Sequence, residues 1–271
     1  MTTWGFIGTG NMASAIVQGA VSSGYLDGED VVLFNPTASK AQRLADATGA
    51  AVAESALEVA QTADVVVLGF KPGTFPEVLP TLAESLVDHD AVVVSIAAGL
   101  TLDRLAALFG PDGASLAIVR AMPNVNALVG ASMTAVTGND RTSADSLEEV
   151  LGLFRSVGDA LELEEKHFSA FTAVAGSSPA YAYLFIDSLA RGALEAGLPK
   201  AVATQIAAQA VAGSARMVLE SGEHPWALID TVCSPGGTTI AGLLALEKNA
   251  FVATVVEGIR ATVARDRELG A

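Results

Sequence analysis

A short apolar run, Trp4-Gly5-Phe6-Ile7, leads straight into Gly8-Thr9-Gly10-Asn11-Met12-Ala13, after which Met12, Ile16 and Ala20 fall on one helical face. Strand, glycine turn and helix in that order commit the start of the chain to a βα unit. The small-residue spacing is that of a dinucleotide-binding turn, with Ala13 in the third small position. Gly8 permits the tight turn, Gly10 lets a pyrophosphate reach the helix N-terminus, and Ala13 lets helix and strand pack closely. The competing reading is a turn that is purely structural.

The pattern continues as a parallel sheet requires. Val31 to Phe34 reads as a second strand, Asp64 to Phe70 as a buried strand ending in Lys71-Pro72, and Ala91 to Ile96 as another ending in Ala97-Ala98-Gly99. Helical patterns separate them, so both ends fall at the carboxyl edge of the sheet, where cofactors bind. Leu116 to Arg120, Ala131 to Thr137 and Ala160 to Glu164 extend the sheet, with an amphipathic helix at Leu147, Val150, Leu151 and Phe154. After the second strand, an NAD site usually carries a carboxylate for the ribose 2′-hydroxyl. Here stand Asn35, Thr37, Ser39 and Lys40, groups that can donate to a 2′-phosphate. NADPH is therefore the favoured cofactor, with NADH admitted as a second donor. For Lys40 an ordinary polar loop is the alternative.

Beyond Glu165 the texture changes. Ala-rich helical segments run from His167 to Ala196, Lys200 to Glu220 and Asn249 to Leu269, broken at Gly197-Leu198-Pro199 and Ser221-Gly222. The expected architecture is α/β plus all-α. Residues 1–165 form an NADP-binding, Rossmann-like domain on a mostly parallel sheet, and 166–271 form a helical domain for dimerisation and substrate binding. That helical layer is apolar on more than one face. With 51% hydrophobic and only 17% charged residues, much of the surface is expected to be buried between subunits. The apolar stretch from Ala170 to Leu198 is interrupted by Pro179, Asp187, Arg191 and Glu195, which favours a buried helix over a membrane span. A formal charge of −15 argues against nucleic acid and anionic membrane as partners. His89, His167 and His224 show no metal-ligand spacing. The single cysteine, Cys233, excludes an intrachain disulfide and suits a reducing compartment; with no basic leader before the glycines, the cytoplasm is expected.

Late in the chain, Ser234-Pro235-Gly236-Gly237-Thr238-Thr239 separates two apolar helical patterns. Pro235 and the glycines stop one helix, and Thr238 or Thr239 is placed to start the next, ahead of Ile240, Leu243, Leu244 and Leu246. Free N–H groups at such a start can hold a carboxylate, and a threonine hydroxyl beside them can donate or accept. An ordinary helix cap is the alternative.

Taken together, GFIGTGNMA (5–13), FKPG (70–73), AAG (97–99), RAMPN (120–124), Gly176-Ser177-Ser178-Pro179-Ala180-Tyr181 and the run from Ser234 to Leu246 resemble the pyrroline-5-carboxylate reductases over nearly the full length. These are the last enzymes of proline synthesis. The resemblance implies a Rossmann domain followed by a helical domain that interlocks two subunits, with dimers assembling further, up to decamers. It implies an active site between one subunit's cofactor and its partner's glycine loop. On this footing Gly236, Gly237, Thr238 and Thr239 bind substrate, with Thr238 the catalytic contact. Gly8, Thr9, Gly10, Asn11, Met12, Asn35, Lys71, Pro72 and Ala97 meet the cofactor, and Glu165 matches an acidic position near the substrate. The chain departs from the usual pattern at Val125 and Asn126, at Ser178 and at Ala56.

The chemistry so implied is reduction of a cyclic imino acid. Two rivals share parts of the pattern. A β-hydroxyacid dehydrogenase would carry a catalytic lysine on the first long helix of its second domain, and the stretch from Ala173 to Ala190 holds none. A non-catalytic NADP(H)-sensing module would not need an intact substrate loop.

Overall fold

The structure is a computed structural model that describes residues 2–270. Eight strands form one sheet: β1 (Trp4–Ile7), β2 (Val31–Phe34), β3 (Ala51–Val52), β4 (Val65–Leu68), β5 (Val92–Ser95), β6 (Ala117–Met122), β7 (Ser132–Gly138) and β8 (Gly158–Glu162). Their order is β3-β2-β1-β4-β5-β6-β7-β8, and every neighbouring pair is parallel except β6 and β7. Helices α1 (Asn11–Ser22), α2 (Ala38–Thr48), α3 (Ala56–Thr62), α4 (Phe75–Asp88), α5 (Leu102–Leu108) and α6 (Ala144–Arg155) supply the crossovers and cover both faces.

The valine runs dictate this arrangement. β1, β4 and β5 are buried on both faces, as parallel strands between helical layers must be. Alternate residues feed two cores. Phe6, Val65, Val67 and Val94 pack with Ile16, Leu44 and Phe154 on one side. Ile7, Val66, Leu68 and Val93 pack with Val59, Leu79 and Leu105 on the other. β3 escapes the sequence pattern because it is two residues long and exposed. β8 begins at Gly158 and ends at Glu162, two residues earlier than the alternation suggested.

No strand follows Glu162 among the described residues. The chain continues through α7 (Phe168–Phe171), a π-helical turn (Thr172–Ser177), α8 (Ser178–Glu195), α9 (Lys200–Ser221), α10 (Pro225–Val232), α11 (Thr238–Lys248) and α12 (Phe251–Gly270). The segment expected as one helix from His167 to Ala196 is therefore interrupted by a widened turn. Two compact units result. One runs through Gly176 and takes in the chain from Val263 on; the other spans Ser177–Thr262. The change of texture at Glu165 marks the end of the sheet, while the division by compactness falls at Gly176.

In the second unit α8 and α9 pair through Ile186, Ala190, Ala193, Ala203 and Ala207. Hydrogen bonds from Lys200 and Arg191 hold the Asp187 carboxyl below its ordinary pKa, and the one from Lys200 ties α9 to α8. Much apolar surface here faces outward, including Leu184, Ile206, Leu219, Val232 and Val252. Among the described residues no single helix is long and apolar enough to cross a membrane, although α11 and α12, bent by 52°, pass that test as a pair.

Candidate active site

The turn after β1 is built against the exit of β4. Gly8 N–H donates to Phe34 O at 2.7 Å and Gly69 N–H to Ile7 O at 2.8 Å. Gly8 has φ +94°, and a Cβ on it would lie 2.9 Å from the Gly69 carbonyl carbon, so neither the conformation nor the space admits a side chain. Gly10 caps α1 with no side-chain cap bond, and no acidic residue stands in the first turn. The N–H groups of Asn11 and Met12 are thus left for an anion, with the helix dipole behind them.

Three neighbouring strand ends complete the edge. Asn35, after β2, accepts from Thr9 N–H through Oδ1 at 3.1 Å and donates to Thr37 O through Nδ2 at 3.1 Å. Thr37, the N-cap of α2 without a side-chain cap bond, lies exposed with Ser39 and Lys40. Lys71 and Pro72 follow β4 at the start of a short 3-10 turn. Ala97 follows β5, buried, its N–H donating to Ser95 Oγ at 3.3 Å. The residues expected at the cofactor are thereby gathered at the carboxyl ends of four adjacent strands, where open sheets of this order take nucleotides.

A dinucleotide fits this edge. The Thr9 hydroxyl is buried with no partner, the cap of α1 is open, the first turn of α1 carries no carboxylate, and Asn35 occupies the place where NAD sites carry an acid.

Glu165 is part of a different cluster. Its Oε1 accepts from Arg120 Nη1 at 2.9 Å and from Leu102 N–H at 2.8 Å. The Arg120 guanidinium lies 4.4 Å over the centre of the Phe168 ring and is only 6% exposed. A cleft of about 500 Å³ opens beside them, bordered by Thr101, Lys166 and Ser169. Lys166 is taken up by Glu164, whose carboxyl its hydrogen bond holds below the ordinary pKa.

Gly236, Gly237, Thr238 and Thr239 lie in the second unit. Gly236 has φ +68°, Gly237 N–H donates to Ser234 O at 3.0 Å, and Gly237 is the N-cap of α11. Thr238 and Thr239 are the first two helical residues, both exposed, and no side chain caps the helix. A threonine cap was the alternative reading of this loop; the cap is the glycine, which leaves the hydroxyls and the first N–H groups open.

Asn124 and Thr172 are among the buried polar residues that the sequence does not mark as site residues. Asn124 is 5% exposed; its Nδ2 donates to Ala175 O at 2.9 Å and its N–H to Ser132 Oγ at 3.3 Å. Thr172 opens the π-turn and carries a buried hydroxyl with no partner. The run Met122-Pro123-Asn124 was the available signal, but its contact lies 51 residues further on.

A doubly wound sheet that offers a helix N-terminus to a dinucleotide, in one chain with an open loop able to hold a carboxylate, defines an NADP-dependent oxidoreductase. Residues 3–99 match the family model described as NADP oxidoreductase, coenzyme F420-dependent, and residues 165–269 match that for pyrroline-5-carboxylate reductase dimerisation. The pyrroline-5-carboxylate reductase of Escherichia coli K12 is 46% identical over 265 residues, covering 98% of this chain and 97% of the relative. The structure of a pyrroline-5-carboxylate reductase from Coxiella burnetii is 32% identical with a TM-score of 0.94, covering 100% of this chain and 99% of that one. The structure of the Plasmodium falciparum pyrroline carboxylate reductase with NADP bound is 29% identical with a TM-score of 0.83, covering 100% and 98%. The chain belongs to the pyrroline-5-carboxylate reductase family.

Proposed function

We propose that the protein reduces 1-pyrroline-5-carboxylate to L-proline with NADPH, the last step of proline biosynthesis. The observation that carries this reading is the uncapped start of α11 behind Gly236 and Gly237, present in the same chain as the open nucleotide turn. A cyclic imino acid offers a carboxylate and a protonated imine. The free N–H groups of the loop suit the carboxylate, and the exposed Thr238 hydroxyl suits the ring nitrogen. NADPH, when bound, supplies the hydride; the imine carbon accepts it, and the C=N electron pair settles on a nitrogen that already holds its proton. The chain's contribution is orientation and charge complementarity, without an obligate acid or base. Thr239 supports the same loop. Glu165 borders the substrate region through the cleft it lines, with its Oε1 committed to Arg120 and Leu102.

In this reading residues 1–165 bind NADP and 166–271 dimerise and bind substrate. The loop of one subunit completes the site of its partner, the dimers assemble further, up to decamers, and the enzyme works in the cytoplasm. The test is NADPH oxidation with pyrroline-5-carboxylate, against buffer and against NADP+ reduction with hydroxyisobutyrate. Turnover with the imine alone is expected; turnover with the hydroxyacid, or with neither, overturns the assignment.

Two further outcomes follow from the geometry. Asn35→Asp keeps an acceptor for Thr9 N–H but sets a negative charge where the 2′-phosphate would lie. NADPH should weaken by roughly tenfold, about 1.4 kcal/mol, and NADH much less. Titration of both cofactors decides it, and equal losses would remove Asn35 from the phosphate site. The second concerns assembly. Leu219 is 83% and Leu184 68% exposed in the single chain, so the smallest folded species should be a dimer. Light scattering at low concentration checks this; a folded, active monomer contradicts it.

A further inference from the structure

Three buried side-chain polar atoms among the described residues have no hydrogen-bond partner: Thr9 Oγ1, His89 Nε2 and Thr172 Oγ1. His89 Nε2 has an explanation within the chain, since it faces Asp64 Oδ1 at 3.5 Å. Thr9 stands in the nucleotide turn. That leaves Thr172, 8% exposed, whose hydroxyl nothing in the chain satisfies. A buried hydroxyl without a partner is costly, and such atoms in native folds call for a specific reason.

The ordinary solution is within reach and is not taken. Elsewhere in the helices the hydroxyls of Thr48, Thr62, Thr204, Thr254 and Thr262 each donate to the carbonyl four residues back. Thr172 could use Phe168 O in the same way, yet only its backbone N–H does so. The difference is the π-turn that Thr172 opens, a form of helix often found at functional sites. The turn is tied from outside, because Asn124 Nδ2 donates to Ala175 O at 2.9 Å.

The position of the turn is also defined. A Cβ on Gly176 would meet Met122 Cε at 3.0 Å and Thr172 Cγ2 at 3.5 Å, so the last residue of β6 reaches the turn at Gly176, four residues on from Thr172 and beside its methyl group. β6 ends at the carboxyl edge of the sheet. The adenosine half of a dinucleotide belongs to β1 and β2, where Asn35 and Lys40 stand, which leaves β4, β5 and β6 for the nicotinamide half. We propose that the Thr172 hydroxyl is a cofactor contact that hydrogen-bonds the carboxamide of the nicotinamide. A hydroxyl can serve either end of a carboxamide, as donor to its oxygen or acceptor from its nitrogen. The oxygen is closed off from water in this structure, so the contact needs a side-chain movement. Met122, unbranched and adaptable, abuts the turn and can make it. The inference rests on the NADPH reading above.

The test compares NADPH with 2′,5′-ADP, which carries the adenosine half and lacks the nicotinamide. Both are titrated against the wild type, Thr172→Val and Thr172→Ser, and each protein is melted without nucleotide. Thr172→Val should bind NADPH roughly three- to tenfold more weakly, the worth of one hydrogen bond, and bind 2′,5′-ADP unchanged. Its melting temperature without nucleotide should hold or rise, because a methyl group replaces an unsatisfied hydroxyl. Thr172→Ser should bind both nucleotides like the wild type. If valine disturbs the packing, Thr172→Ala reads the same difference between the two nucleotides. Equal weakening of both nucleotides, or unchanged NADPH affinity in a folded variant, overturns the inference. Unchanged NADPH affinity with a raised KM for the imine overturns it too, by placing the hydroxyl on the substrate. A wild type that binds neither nucleotide sinks the cofactor reading itself, a result distinct from any of these.

Discussion

Glu165→Ala is expected to destabilise the protein by about 3 kcal/mol, at the low end for breaking a buried ion pair because the glutamate side is 29% exposed. The substitution strands Arg120. Its guanidinium is 6% exposed, stacked on Phe168, and Glu165 is its counter-ion at 2.9 Å. Without the carboxylate a cation remains in a mostly dry site, and Leu102 N–H at the start of α5 loses its acceptor as well. A loss of this size should lower the melting temperature by roughly 6–12 °C for a chain of this length. Glu165→Gln keeps an acceptor for Leu102 and should cost less. Arg120→Met in the Glu165→Gln background removes the stranded charge and should recover much of the loss. An unchanged melt for Glu165→Ala with a raised KM for the imine would instead make the carboxylate a substrate ligand and not a clasp.

That clasp shows where sequence reasoning reaches its limit. Arg120 and Glu165 are 45 positions apart, and nothing local marks them as partners. The same holds for Asn124 and Ala175, whose hydrogen bond ties the π-turn from another element. A helical pattern read along His167 to Ala196 has no access to that bond, so the interruption after Phe171 was invisible. What was legible is local chemistry. The spacing Gly8, Gly10, Ala13 is a statement about backbone φ and close approach, and Gly8 at φ +94° against Gly69 obeys it. β1 and β2 fall where the apolar runs placed them, because strands inside a parallel sheet covered by helices need apolar residues, as Phe6, Ile7, Val31 and Leu33 supply. The loop from Ser234 was legible for the same reason. Proline and paired glycines announce a helix break and an open start whatever surrounds them. The hydroxyl of Thr172 falls between these cases. Its residue type is ordinary, and only its burial and the missing back-bond, both properties of the three-dimensional structure, separate it from Thr204 or Thr254.

Thr238→Ala should lower kcat/KM for the imine by about one to two decades and leave NADPH affinity nearly unchanged. The magnitude is that of a hydrogen bond to a charged nitrogen, roughly 1.5–3 kcal/mol. The cradle for the carboxylate should survive, since it consists of backbone N–H groups behind Gly236 and Gly237. Thr238→Ser keeps the hydroxyl and should retain most of the activity. The structure sharpens this test. Were Thr238 the helix cap, alanine would cost about 1 kcal/mol of stability and could depress activity through unfolding. The N-cap is Gly237, and Thr238 is the first helical residue with no capping bond of its own. Alanine is a better helix former than threonine, so the melt of Thr238→Ala should match the wild type or exceed it slightly. Stability and catalysis are thereby uncoupled at this position. A normal melt with depressed kcat/KM places the hydroxyl on the substrate; a normal melt with normal kcat/KM removes Thr238 from the reaction and leaves the N–H groups to carry the loop's role alone.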